Sequence, residues 1–228
     1  MIKRFIFVLA LLLPLQVLAV DETVINRENS IQKRIDEIGF KVLNSNKIEK
    51  RVIFTYSKDN KLYKGVPEVT KRQIVVYDDA YKYTDCDDEV AAMLARKISD
   101  SVKSFDGAWG GFFDAAQVKM APKKYEMVAD KRAVDYVVGA GYNPLALITY
   151  ITKSCPQRRQ DTISTNNLTS KRLAEIYEYI FVKYPYYLKN NTYLTNEYYQ
   201  NFLLTSIENR KKLEQKLKSN SKKKVDYE

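Results

Sequence analysis

The sequence predicts an α+β fold that is mostly helical, with a small β-sheet drawn from its N-terminal half. Two observations carry this. Apolar residues recur at helical spacing through most of the chain, and only two short runs, within residues 51–78, are rich in β-branched and aromatic residues. A length of 228 residues suits one domain with tails, and 45% apolar with 29% charged residues lies in the globular range.

The first element is expected to be a targeting segment. Lys3 and Arg4 precede an apolar run from Phe5 to Leu13, and Val17-Leu18-Ala19 offers small residues to a signal peptidase. Residues 1–19 therefore read as a signal peptide cleaved near Ala19, giving an exported protein, periplasmic or secreted. An uncleaved anchor is the alternative. No cysteine lies near the cleavage point, so a lipid-modified N-terminus is not expected.

Residues 20–205 read as a single domain. Glu28 to Val42 carries Ile31, Ile35, Ile38 and Val42 at helical spacing. Arg51–Ser57 and Arg72–Asp78 read as strands separated by polar, Gly- and Pro-containing residues. From Asp87 a helix places Val90, Leu94, Ile98 and Val102 on one stripe, with Ala91 and Ala95 beside it. The segment SFDGAWGGFFDAAQ, with Trp109, reads as a glycine-rich connector or a loop over a cleft. Helices follow over Tyr125–Ala140, stopped near Gly141, and over Pro144–Ser154, Ser170–Val182 and Thr195–Leu217. Residues 206–228 read as a basic tail, helical and then disordered, and the tyrosine-rich stretch before it as packing surface.

The formal charge of +10 falls to +8 without Lys3 and Arg4, and Arg210–Glu228 contributes +5 of that. A surplus concentrated in a tail, with about +3 left on the body, is weak evidence for nucleic acid, and no nucleic-acid partner is expected. The surplus suits solubility or weak contact with an anionic membrane surface. Cys86 and Cys155 are the only cysteines, and sequence leaves a bridge between them and two free thiols equally open. The chain has no histidine, which removes Ser-His-Asp and Cys-His catalysis and every His-ligated zinc site.

Four short motifs stand in order between Ile74 and Leu173. Asp88-Glu89-Val90-Ala91-Ala92-Met93-Leu94-Ala95 opens the first helix, and Glu126-Met127-Val128-Ala129-Asp130 lies on the second. Ala140-Gly141-Tyr142-Asn143-Pro144-Leu145-Ala146 follows, then Asn166-Asn167-Leu168-Thr169-Ser170-Lys171-Arg172. Together they resemble the M-forty-eight zinc metallopeptidases, the HtpX-, BepA- and CAAX-protease-like group. The resemblance implies a zincin-like (gluzincin) domain, a zinc cofactor held by H-E-x-x-H and by the glutamate of E-x-x-A-D, and peptidase activity.

Against that pattern this chain has Arg96 and Asp100 at the histidine positions, Lys97 at the general-base position and Asn166 where a further histidine is expected. Only Glu126, at the third-ligand position, survives of the metal's first ligands; Asp130 and Arg172 keep their motif positions. A guanidinium has no lone pair for a metal, and a protonated lysine takes no proton. The expectation is a pseudo-peptidase that has lost zinc and needs no cofactor. An ion-pair cluster of Arg96, Asp100 and Glu126 would fill the site, unless Arg96 and Lys97 simply reach solvent.

Such a scaffold would act by binding an extended peptide or an envelope protein. Two other functions stay open: a hydrolase with a non-standard site, in which carboxylates or Lys97 do acid–base work, and an interaction domain using its tyrosine-rich C-terminal region.

Overall fold

In a computed structural model of the chain, residues 2–60, 69, 73–103, 122–155 and 168–228 are described. The connector holding Trp109, and Asn166 with Asn167, lie outside the described residues.

The chain begins with α1 (Ile2–Ser45), an uninterrupted helix far longer than the Glu28–Val42 segment the periodicity predicts. Its second half carries the expected stripe: Ile31, Ile35, Ile38 and Val42 are all buried, with Leu43 beside them. Among the described residues no helix is long and apolar enough to cross a membrane.

Two strands follow, β1 (Ile53–Ser57) and β2 (Gln73–Tyr77), paired in parallel with Ile53 opposite Gln73 and Ser57 opposite Tyr77. The sheet packs on α1 at Gly39, where a Cβ atom would come within 2.7 Å of the Phe54 ring. Only glycine lets the ring lie that close. The carboxamide of Gln32 on α1 attends to β1 as well. Its Nε2 donates to the Phe54 carbonyl (3.1 Å) and to Asp36 Oδ2 (3.0 Å), and its Oε1 accepts from the Tyr56 N–H (2.6 Å). These are main-chain groups that a further strand would use.

Strand β2 runs into the single turn α2 (Asp78–Tyr81) and then into α3 (Asp87–Lys103). Val90, Ala91, Leu94, Ala95 and Ile98 of α3 are fully buried at the centre of the molecule. Helix α4 (Pro122–Gly139) packs along α3 through Ala129, Ala133, Val134 and Val137, small residues among them allowing close approach. Its end is set by Gly141 at φ +78°. The Gly141 N–H donates to the Val138 carbonyl (2.9 Å) and the Tyr142 N–H to Val137 (3.0 Å), a Schellman closure that satisfies two orphan carbonyls.

Helix α5 (Leu145–Ser154) starts after Pro144 and buries Leu145, Leu147, Ile148 and Ile151, while α6 (Leu168–Lys183) adds Leu173, Ile176 and Ile180. A short helix α7 (Pro185–Lys189), absent from the sequence reading, precedes α8 (Glu197–Thr205) and α9 (Ile207–Lys218). The single helix expected over Thr195–Leu217 is thus broken at Ser206, the cap of both segments. The turn lets Phe202 of α8 and Leu213 of α9 both be buried against the body.

Beyond α9, residues 221–228 form neither helix nor strand, and Tyr227 is the one buried residue among them. Tyr227 is only 3% exposed, and its hydroxyl donates to Glu178 Oε2 at 2.6 Å. Burial of this aromatic side chain anchors the end of the lysine-rich run on α6. The tyrosine-rich stretch packs as expected at Tyr193 and Tyr199, which are buried, whereas Tyr186 is exposed.

Candidate functional site

Helical spacing brings the site together before any tertiary contact is made. Arg96 and Asp100 stand four apart on α3, and Glu126 and Asp130 four apart on α4, so each pair shares one helix face. The close α3–α4 packing sets those faces opposite one another, and α6 brings Arg172 to the same point.

Asp130 is the centre. Its side chain is 1% exposed and accepts from Arg96 Nε (2.8 Å) and Arg172 Nη2 (2.9 Å) on one oxygen, and from Arg172 Nε (2.7 Å) on the other. The Arg172 fork is bidentate, the geometry for which a planar guanidinium is suited. Arg96 Nη2 donates to Glu126 Oε2 at 2.7 Å, and Arg96 Nη1 is ion-paired with Asp100. Arg172 Nη2 lies 3.6 Å from the same Glu126 oxygen. One guanidinium thus joins three carboxylates on two helices, and a second ties in the third helix.

Charge tuning follows from this geometry. Burial works to lower the Arg96 pKa, but the carboxylates of Asp100, Asp130 and Glu126 outweigh it and hold the guanidinium more firmly protonated than usual. Arg172 behaves likewise: burial opposes its charge, and the Asp130 hydrogen bonds overcome it. For Asp100 burial dominates over the Arg96 attraction, and its pKa is raised.

The expected contacts of Arg96 with Asp100 and Glu126 are therefore present. The sequence reading gave Asp130 and Arg172 no partner, and the structure makes them the core of the cluster. Their signal was available in the four-residue spacing of Glu126 and Asp130 and in the retained arginine. The alternative in which Arg96 and Lys97 reach solvent does not hold: the Arg96 side chain is 12% exposed and Lys97 is buried.

The donor set does not fit zinc. A catalytic zinc takes about three protein ligands with free lone pairs. Here a guanidinium, which has none, occupies the convergence of Glu126 and Asp130. Among the described residues no group of three or more His, Cys, Asp or Glu side chains could hold a metal ion.

Arg96 and Arg172 also line a cavity of about 290 Å³, with Tyr83, Tyr150, Ile151 and Cys155 among its other walls. It is open to solvent and large enough for one or two side chains of a ligand. Cys155 is an exposed free thiol, and Cys86 is a free thiol with Sγ 3.6 Å from Tyr193 Oη. The disulfide that sequence left open is not formed.

Sequence reasoning missed a second buried ion pair. Lys153 Nζ lies 2.7 Å from both oxygens of Glu89 and 2.5 Å from Asp85 Oδ2. Thr149 Oγ1 and the Asp85 N–H each donate to Glu89 at 2.7 Å. With both Glu89 oxygens engaged, this group fastens α5 to the start of α3 and offers no free acid or base.

No protein-family model, no curated protein and no solved structure matches this chain.

Proposed function

We propose that the chain is an exported, catalytically inactive relative of zincin-type metallopeptidases that works by binding peptide or protein in the cell envelope. One observation carries this reading: the Arg96 guanidinium bridges Asp100, Glu126 and Asp130 where the motif resemblance would put a metal and its water. The cluster supplies the positive charge that an ion would have supplied to Glu126, and it cannot activate water.

The cavity above the cluster is the proposed contact surface, with aromatic walls and guanidinium groups at its floor. Addition of a ligand strand to β1 is less favoured, because Gln32 already occupies main-chain groups of Phe54 and Tyr56.

Metal content and casein cleavage of the purified mature protein, with and without added zinc, test the inactive half of the proposal. The expected result is no stoichiometric zinc and no cleavage in either condition. Zinc at one equivalent with chelator-sensitive cleavage would overturn it. For the binding half, unfolded casein should bind the wild-type chain more tightly than a Tyr150→Ala variant; equal affinities would remove the cavity from the proposal.

A further inference from the structure

We propose that the groove between α6, α8 and α9 is a recognition site for an extended segment carrying a tyrosine between acidic residues, and that residues 225–228 fill it in cis. The groove shares no lining residue with the cavity above the Arg96 cluster.

Three contacts make it a site rather than incidental packing. Asn209 reads the main chain of one residue twice: its Nδ2 donates to the Glu228 main-chain oxygen (2.8 Å), and its Oδ1 accepts from the Glu228 N–H (2.9 Å). A carboxamide used in this way imitates a strand neighbour and holds any extended residue in register. Next to it Tyr227 enters a slot bounded by Ala174, Tyr177 and Leu213. At its far end the hydroxyl donates to Glu178 Oε2 at 2.6 Å, so the slot distinguishes tyrosine from phenylalanine. Finally, Lys212 Nζ meets Glu228 Oε1 at 2.7 Å and the Asp226 carbonyl at 3.2 Å, while Lys171 lies 3.9 Å from the Asp226 carboxylate. Both carboxylates are exposed, so these cations steer an acidic segment towards the groove more than they grip it.

The groove wall also carries polar atoms that residues 225–228 do not engage, although Arg210 Nη2 is held by the Leu203 carbonyl (2.8 Å). Ser206 and Arg210 line the same groove. Ser206 is 6% exposed, and among the described residues neither its Oγ nor Arg210 Nε has a hydrogen-bond partner. Buried polar atoms are nearly always satisfied in folded proteins, so two together mark places for acceptors that a ligand in trans would bring. Tethering gives the cis segment a millimolar effective concentration, which closes the groove to dilute competitors until it lifts.

The test uses the full chain and a fluorescent peptide of residues 219–228, SNSKKKVDYE, followed by anisotropy. The Tyr227→Ala chain should bind this peptide at least about tenfold more tightly than wild type, because its own segment no longer competes. A peptide with phenylalanine at the tyrosine position should bind more weakly, and adding Asn209→Ala should abolish the gain. A folded Tyr227→Ala chain that binds no better than wild type would overturn the proposal. Should that variant fail to fold, amide exchange of the wild-type chain decides. Saturating peptide should accelerate exchange at Glu228 by about tenfold or more, and an unchanged rate counts against displacement.

Discussion

Truncating Arg96 would strip Asp130 of one of its two cations while leaving the carboxylate 1% exposed. Removing one partner of a buried ion pair costs about 3–5 kcal/mol. The lower end is expected for Arg96→Ala, since Asp100 and Glu126 still reach water. Arg96→Lys should recover little, because one ammonium nitrogen cannot stand where Nε, Nη1 and Nη2 each meet a different carboxylate. Urea denaturation of both variants checks this, and a midpoint unchanged in Arg96→Ala would show that the cluster does not hold the helices. At this scale the sequence is partly legible. Spacing along one helix reveals that Arg96 can meet Asp100 and that Glu126 shares a face with Asp130. It does not reveal which member of a face ends up deepest. That depends on the tilt between α3 and α4 and on α6 arriving with Arg172, which no local pattern encodes.

Helices were the most readable elements, because burial imposes a 3.6-residue period wherever one face packs. Of the stripe Val90, Leu94, Ile98 and Val102, the first three are fully buried, as the spacing demands, and Val102 is partly buried. The break at Ser206 has no local signal, because serine does not forbid helix; the turn lets Phe202 and Leu213 both be buried. The sheet is small, and β1 is shielded by one side chain. A Gln32→Ala substitution should cost about 1 kcal/mol for the lost hydrogen bonds. It should also promote self-association through the freed strand. Differential scanning calorimetry and gel filtration at rising protein concentration would register both effects. A variant that melts and elutes like wild type at every concentration would mean that water replaces the amide without loss.

Across the whole molecule, the segment after α9 changes how the body responds to acid. Glu175 sits beneath it, 2.5 Å from Lys131 Nζ and 2.9 Å from Lys224 Nζ. Burial raises its pKa, but the two lysines more than reverse this, and the folded value lies below that of a free glutamate. Its contribution to stability is therefore present above pH of about 4.5 and fades as pH falls through the lowered folded value. Glu175→Gln should be less stable than wild type at neutral pH and converge with it in strong acid. A stability gap that stays constant from pH 7 to pH 3 would contradict this. None of it was readable beforehand. A lysine-rich run looks solvated, and only the burial of Tyr227 reveals that it is held down.

The Gln32 amide carries one more consequence, concerning ageing rather than folding. Its nitrogen donates to two oxygens, those of Phe54 and Asp36. Hydrolytic loss of ammonia from this side chain would set a carboxylate against both, converting two attractions into repulsions. A slow chemical change at one position would then release the Phe54 carbonyl, while the Tyr56 N–H kept its acceptor, without any change in the gene.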